Sequence, residues 1–240
     1  MNSFHVRASL CALLIGSASW THAAEVPAEW QPRIVGGGNA RVAVSAPKDL
    51  RFAHLSWPKA VRAADGTIVL AYTAGVFHGD HGGGSPAVSL STDEGRTFTA
   101  PNVLREFGPD KDYTQSGNLA LGLADDGALV LLAMAYTGGT GKIVGTAGRG
   151  NNIYGWRSTD SGRTWTPTDT SKLGPNITGS VFGRIVDVPG QGLTVLGHYR
   201  GPSKPDTGIW LAQSKDQGRT WGDPRAITDV AAAEPVLVVT

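Results

Sequence analysis

One octet pattern occurs three times in this chain and constrains its fold more than any other feature. The pattern is Ser-x-Asp-x-Gly-Arg-Thr followed by an aromatic residue, and its copies occupy residues 91–98, 158–165 and 214–221. Recurrence of one local motif along a chain indicates that a single structural unit is repeated. The octets therefore predict an array of similar units.

The segments around the octets share one order of short apolar stretches and tight turns. In each unit, two alternating apolar stretches flank a glycine-containing turn, and a third stretch leads into the octet. The predicted strands are 52–61, 67–74 and 87–91, then 117–123, 128–137 and 153–158, then 180–188, 193–199 and 207–214. Each unit is thus a four-stranded antiparallel meander with the octet between its third and fourth strands. Repeated four-stranded sheets are the blades of a β-propeller.

The residue types of the octet suit a turn. The carboxylates of Asp93, Asp160 and Asp216 can accept backbone N–H bonds inside the turn, and glycine allows a backbone conformation that other residues resist. The terminal aromatic residue can pack under the next layer of the blade. We therefore interpret the three aspartates as structural, because a metal or catalytic site would need carboxylates that converge.

The octet resembles the Asp-box, or BNR repeat, of bacterial exo-sialidases (neuraminidases). This resemblance implies an all-β, six-bladed propeller, of which the chain holds three complete blades. A fourth blade is expected to start at Glu234-Pro235. Completing six blades requires residues beyond Thr240, so we expect the chain to be C-terminally truncated. Asp-boxes also occur in propellers that only bind ligands, which leaves a non-catalytic role open.

Turns in a meander alternate between the two ends of the sheet, so the octets point to the opposite end as the functional one. A glycine-rich loop at that end carries Asp80 between His78 and His81. In sialidases the acid/base aspartate lies in this loop of the first blade, shortly before the first Asp-box, so the resemblance implies that role for Asp80. A general acid protonates the departing glycosidic oxygen. The alternative is that Asp80 is a solvated turn residue.

Glu234 is the second catalytic candidate, because Glu-Pro before alternating apolar residues is similar to the sialidase segment whose glutamate assists the nucleophile. Sialidases use a tyrosine nucleophile, which suits a substrate whose own carboxylate would repel an anionic one. The resemblance places that tyrosine beyond Thr240. The alternative is that Glu234 caps the entry to a strand.

The substrate-binding residues implied by the resemblance are only partly matched. Sialidases clamp the substrate carboxylate with three arginines, the first in an Arg-Ile-Pro motif, and this chain has Ser56-Trp57-Pro58 there. Arg200 lies at the functional end and is the better substitute among the arginines present. Trp57 can stack on a sugar or belong to the core. His78 and His81 can contact sugar hydroxyls or be simply solvated, and as a pair they lack the third ligand that a metal site needs.

The N-terminus and the composition indicate an exported protein. Residues 1–23 have a basic start, a short apolar run and a small-residue exit, which is typical of a secretory signal peptide. Residues 24–50 form an N-terminal segment in which 33–45 is a candidate ring-closing strand, and 51–240 form the partial propeller. Cys11, the single cysteine, lies in the signal peptide, so the mature chain forms no disulfide.

The charge pattern excludes several classes of partner. The net charge is +1 with interspersed charges, which gives no basic stripe for nucleic acid and no basic helix for a membrane. We expect a periplasmic or secreted protein with a glycan partner, no membrane span and no cofactor. The predicted function is an exo-α-sialidase-type glycosidase that retains configuration. The alternatives are a propeller glycosidase for a non-sialic sugar and a non-catalytic glycan- or protein-binding propeller.

Overall fold

The structure of the protein is a computed structural model. It describes residues 42–76, 84–108, 115–136, 153–173, 178–200, 207–230, 232 and 234–238. All strands in these ranges belong to one compact unit, Ala43–Thr240. The described ranges contain thirteen strands and no α-helix, and one short 3-10 helix spans Leu50–Phe52. The all-β class predicted from the sequence is therefore confirmed.

The strands form two sheets. The first is a four-stranded antiparallel sheet made of β1 (His54–Arg62), β2 (Ile68–Gly75), β3 (Ser85–Ser91) and β4 (Asn102–Val103). The second sheet has nine strands: β5 (Gln115–Leu123), β6 (Leu129–Tyr136), β7 (Ile153–Ser158), β8 (Thr166–Pro167), β9 (Thr178–Gly179), β10 (Phe182–Val188), β11 (Gly192–Arg200), β12 (Thr207–Ser214) and β13 (Gly222–Thr228). Its order is β13-β12-β11-β10-β5-β6-β7-β8, with β9 beside β11.

Three antiparallel meanders account for this topology, and we refer to β1–β4, β5–β8 and β10–β13 as the first, second and third meander. Each octet is the connection between the third and fourth strands of its meander, as predicted. The predicted strands Ile153–Ser158 and Thr207–Ser214 match the observed bounds. The prediction that the first strand includes Phe52 is wrong, because Leu50–Phe52 form the 3-10 helix capped by Asp49.

The octet geometry is the same in all three copies. In the second copy, the serine hydroxyl of Ser158 donates to Asp160 Oδ1 at 2.8 Å and accepts the amide of Gly162 at 2.8 Å. The amide and hydroxyl of Thr164 donate to the two oxygens of Asp160 at 2.8 and 2.6 Å. Both carboxylate oxygens are thus engaged inside their own turn. The equivalent bonds around Asp93 and Asp216 have nearly identical lengths.

The second and third octets also join their meander to the preceding one. Gly162 has φ +88° and its α-carbon approaches Leu90 and Val69 of the first meander so closely that a Cβ would lie 2.9 and 3.2 Å from their methyl groups. Gly218 has φ +81° and approaches Val130 of the second meander, where a Cβ would lie 2.6 Å from a methyl group. These glycines therefore serve the contact between meanders as well as the turn.

Buried apolar side chains fill the spaces between neighbouring meanders. Leu119, Leu131 and Val88 belong to the cluster between the first and second meanders. A larger cluster between the second and third meanders includes Leu132, Val195 and the fully buried Trp210. Burial of this apolar surface, at roughly 25 cal/mol per Å², stabilises the packing of neighbouring meanders.

The second and third meanders share one sheet because their first strands pair directly. Gly183, Arg184 and Ile185 of β10 run parallel to Ala120, Leu121 and Gly122 of β5. This approach requires glycine at position 122, since a Cβ there would lie 2.2 Å from the carbonyl oxygen of Ile185.

Two predicted strands are absent from the described residues. Glu234–Val238 form no strand, so the expected first strand of a fourth blade is not observed there. Pro235 has no N–H to donate to a sheet, although its carbonyl lies 3.7 Å from the position of a Cβ on Gly183. Val42–Ser45, the described end of the candidate ring-closing strand 33–45, also form no strand. Both sheets are open, and in the described ranges no helix is long and apolar enough to span a membrane.

Candidate functional site

The two ends of the meanders differ in character. At one end, the arginine of an octet reaches the first turn of the preceding meander: Arg163 donates to Asp65 at 3.1 Å, and Arg219 to Asp126 at 3.5 Å. The octets and the turns between first and second strands therefore lie together, as predicted. We call the other end, where β1, β5 and β10 begin, the opposite rim.

The first strand of each meander is irregular near the opposite rim. The pairing register shifts between Ser56 and Lys59 in β1, between Ser116 and Leu119 in β5, and between Phe182 and Val186 in β10. Bulges of this kind turn side chains out of the regular alternation and are common beside functional sites. The rim is thus lined by residues whose direction the strand period alone would not predict.

Two residues at this rim adopt backbone conformations that are costly for their type. Trp57 has φ +52° and Glu234 has φ +56°, and each precedes a proline. A residue before proline is normally confined to extended backbone, and non-glycine residues rarely adopt positive φ. Strain of this kind, of order 1–3 kcal/mol per residue, clusters at functional sites.

The remaining non-glycine residues with positive φ in the described ranges belong to the octets. Glu94, Ser161 and Gln217 occupy the same place in the three copies, immediately before the octet glycine, where the turn requires this conformation. Trp57 and Glu234 are the two such residues outside the octets. Turn formation therefore accounts for the strain in the octets but not for the strain at Trp57 and Glu234.

Lys59 interacts with both of these residues. Its ammonium donates to the carbonyl oxygen of Trp57 at 3.3 Å and to Asn118 Oδ1 on β5 at 3.1 Å. Burial lowers the pKa of Lys59, and the nearby charge of Glu234 acts in the opposite direction. The rim thus combines a half-buried cation, an exposed carboxylate and a half-buried indole contributed by separate parts of the chain.

Lys59 and Asn118 were not predicted from the sequence. The signal that could have identified Lys59 is a charged residue on a first strand, directly after the Trp-Pro pair. Asn118 is 8% exposed, and its Oδ1 also accepts the amide of Leu119 at 3.0 Å. Its contact with Lys59 depends on the irregular start of β5, which the sequence does not reveal.

The loop that carries Asp80 connects to this rim. Residues 77–83, which include His78, Asp80 and His81, lie outside the described residues. Just after them, the carbonyl of Gly84 accepts the amide of Ser116 at 2.5 Å, beside the start of β5. A Cβ on Gly84 would lie 2.5 Å from a methyl carbon of Thr73. Gly84 is therefore in close contact with both the first and the second meander.

Ser56 stands where the resemblance expects an arginine, and Arg200 is the arginine proposed in its place. Ser56 donates its hydroxyl to the carbonyl oxygen of Thr73 at 3.4 Å, so it serves the β1–β2 pairing and carries no charge. Arg200 is the last residue of β11, paired with Thr178 and Thr207, and its side chain lies outside the described part of the structure. Among the described residues, no three His, Cys, Asp or Glu side chains cluster as a metal site would require.

A second concave surface lies at the octet end. An open groove of about 540 Å³ runs between β1 and β10 and is lined in part by Arg62, Arg184 and Asp187. Burial raises the pKa of Asp187, and the nearby charge of Asp125 adds to this effect. None of the described residues that line this groove has positive φ. We therefore regard the opposite rim as the stronger candidate for a functional site.

Comparison with known proteins supports the fold. No model of a known protein family matches the sequence, and no curated protein sequence matches it. Among solved structures, a Hadza microbial sialidase is similar with a TM-score of 0.60 and 19% identity, over 73% of this chain and 38% of its own.

Two intramolecular trans-sialidases are similar as well. The leech enzyme has a TM-score of 0.60 and 13% identity, over 80% of this chain and 46% of its own. The enzyme from Ruminococcus gnavus has a TM-score of 0.56 and 12% identity, over 79% of this chain and 63% of its own. The chain thus spans between 38% and 63% of the length of these three proteins. At such identities the likeness defines the fold, which is sialidase-like.

Proposed function

We propose that the protein is an exo-α-sialidase-type glycoside hydrolase that releases a terminal sialic acid with retention of configuration. The observation that carries the proposal is the strained Glu234 at the rim of a sialidase-like fold, where its charge acts on the half-buried Lys59. A carboxylate kept in a costly backbone conformation needs a reason, and catalysis supplies one.

Each catalytic residue has a distinct part in the proposal. Asp80 protonates the leaving glycosidic oxygen and then activates water, as the acid/base of a retaining glycosidase does. Glu234 deprotonates a tyrosine that attacks the anomeric carbon; the resemblance places that tyrosine after Thr240. Glu234 is exposed at the rim and makes no ion pair among the described residues, so it is accessible to a substrate and to a neighbouring phenol.

A second candidate function is hydrolysis of a non-sialic sugar by the same residues. The observation that favours it is Ser56, which stands where the resemblance expects the first arginine of the carboxylate clamp and binds a backbone carbonyl instead. Replacing a cation by a small hydroxyl removes the bidentate recognition of a carboxylate.

An assay of the natural gene product with a fluorogenic sialoside and a panel of neutral glycosides tests both candidates. We expect the sialoside to be cleaved, and Asp80→Asn and Glu234→Gln each to lower kcat by at least about 100-fold, in line with general acid–base catalysis. Glu94→Gln is the matched control, because Glu94 is also an exposed glutamate at positive φ but lies in an octet. Turnover of a neutral glycoside alone would support the second candidate, and no turnover by folded protein would leave a glycan-binding propeller.

We also propose that the protein is exported, on the evidence of residues 1–23. Mass spectrometry of the protein from its natural host should find a mature N-terminus near Ala24. An intact Met1 in the cytoplasmic fraction would contradict export.

A further inference from the structure

The positive charge of the Lys59 ammonium is not balanced by its hydrogen-bond partners among the described residues. Both of its hydrogen-bond acceptors, the carbonyl of Trp57 and the side-chain amide oxygen of Asn118, are uncharged. In the described part of the chain, none of the ion pairs under 4.0 Å includes Lys59. A lysine ammonium has three donors, so one remains for a further partner.

Partial burial makes this arrangement costly without an anion. A charged group that loses water of hydration is stabilised most by an opposite charge at hydrogen-bond distance. Glu234 influences Lys59 electrostatically, yet the pair does not come within ion-pair distance. Lys59 is only partly buried, so an anionic group of a ligand that approaches the rim could reach its ammonium.

The backbone around Lys59 is arranged to present it there. The register shift between Ser56 and Lys59 interrupts the regular pairing of β1, and the costly conformation of Trp57 is part of the same irregularity. Without the bulge, the side-chain alternation after Ser56 would be set by the strand period alone. The bulge thus places a lysine at the rim, three residues after the uncharged Ser56.

We propose that Lys59 is the anion-binding residue of the rim site and that it binds the carboxylate of the terminal sugar acid. This inference rests on the proposed function. In it, Lys59 supplies the positive charge that an arginine at position 56 would have supplied. A lysine offers a compact point charge where an arginine would offer a planar fork. Recognition of the carboxylate therefore depends on a single charge-assisted hydrogen bond, and it should survive replacement by arginine better than replacement by a neutral side chain.

Calorimetric titration with N-acetylneuraminic acid and with its methyl ester tests the proposal without requiring turnover. The natural gene product should bind the acid about 10- to 100-fold more tightly than the ester, the size expected for one charge-assisted hydrogen bond in a partly buried site. Lys59→Met keeps most of the apolar stem and should lose this preference, whereas Lys59→Arg should retain most of it. Lys48→Met, at an exposed position before β1, is the control and should behave as the wild type.

A second variant tests the proposal independently, in case Lys59→Met does not fold. Asn118→Asp has nearly the same shape and puts a carboxylate at the oxygen that Lys59 already contacts. It should neutralise the lysine internally and reduce the preference for the acid in a folded protein.

The outcomes separate this proposal from the hydrolase proposal. Equal binding of acid and ester by the wild type, no binding of either, or an unchanged preference in folded Lys59→Met would overturn the role of Lys59. A merely structural role predicts that Lys59→Met weakens binding of acid and ester equally, which would also overturn it. Loss of acid binding in Lys59→Met, in a protein that cleaves no sialoside, would retain the anion site and reject hydrolysis.

Discussion

Substitution of the octet glycines by alanine should measure how strongly the octets join neighbouring meanders. All three glycines have similar positive φ values: +78° at Gly95, +88° at Gly162 and +81° at Gly218. An alanine in this conformation costs about 1–2 kcal/mol whatever surrounds it. The three sites differ in what the new methyl group would meet, so the comparison separates packing from backbone strain.

The structure orders the three variants. At Gly95 the nearest atom to a new Cβ is the terminal methyl of Ile68 at 3.5 Å, an ordinary contact within the same meander. At Gly162 the nearest is the terminal methyl of Leu90 at 2.9 Å, on a flexible and partly exposed side chain. At Gly218 both methyls of the buried Val130 lie at 2.6 and 3.0 Å. Valine is stiff at χ1, so it cannot rotate away easily.

The expected losses in free energy of unfolding follow from these distances. Gly95→Ala should cost about 1–2 kcal/mol from the backbone alone. Overpacking of a core adds about 1–3 kcal/mol, so Gly218→Ala should cost roughly 2–5 kcal/mol in total, with Gly162→Ala between them. Urea denaturation of the purified variants measures these values, and thermal unfolding should follow the same order.

A double-mutant cycle tests the cause. Val130→Ala is destabilising by itself, but it removes both clashing methyl groups, so Gly218→Ala should cost about 1–3 kcal/mol less in that background. A loss at Gly95 equal to that at Gly218, or a cost at Gly218 unchanged by Val130→Ala, would refute the idea that the octet glycine packs between meanders.

Three further predictions concern charge and strain. Hydrogen bonds from Thr97 and Ser91 hold the pKa of Asp93 well below its usual value. The stability that this carboxylate contributes is therefore complete above about pH 5 and is lost as pH falls below its unfolded pKa of about 3.9. Urea midpoints should consequently decline less steeply with falling pH in Asp93→Asn than in the wild type. The side chain of Arg157 is 11% exposed and bonds both Asp126 and the carbonyl of Gln217, so Arg157→Met should lower the free energy of unfolding by about 1–3 kcal/mol. Arg163→Met removes an exposed ion pair and should lower it by at most about 1 kcal/mol. Equal losses in urea titrations would contradict this difference. Glu234→Gly relieves the positive φ, so it should be at least as stable as Glu234→Gln in thermal unfolding while both lose glycoside turnover; turnover retained in either variant would exclude Glu234 from catalysis.

The sequence predicted the meanders because the features that define them are local. Alternating apolar residues and a repeated turn motif specify strand after strand, and the bounds of β7 and β12 were predicted without error. The direct pairing of β5 with β10 could not be predicted in this way. It depends on Gly122 meeting the carbonyl of Ile185, a contact between residues distant in the chain. A glycine inside a strand is equally typical of a bulge or a tight bend, so its presence alone does not indicate a neighbouring strand.

The site residues that the sequence proposed come from local motifs, whereas Lys59 and Asn118, which it did not propose, are positioned by bulges. Glu234 was proposed because Glu-Pro before alternating apolar residues is similar to a sialidase segment, and Trp57 because an aromatic residue at the entry to a first strand can stack on a sugar. Lys59 and Asn118 meet only because β1 and β5 both lose regular register near the rim. Side chains in a regular strand alternate between the two faces of the sheet, so their direction can be predicted from the sequence. A bulge interrupts this alternation, and the prediction then fails.

The two strained Xaa-Pro pairs are connected through one cation at the rim. Trp57-Pro58 lies at the start of the first meander and Glu234-Pro235 follows the third, and both have positive φ before a proline. Lys59 bonds the carbonyl of Trp57 and responds to the charge of Glu234, so one lysine connects both pairs. Turn formation accounts for the strain in the octets, but neither Xaa-Pro pair belongs to a repeated turn. The anionic ligand that we propose for Lys59 would account for a conformational cost that occurs twice around one cation.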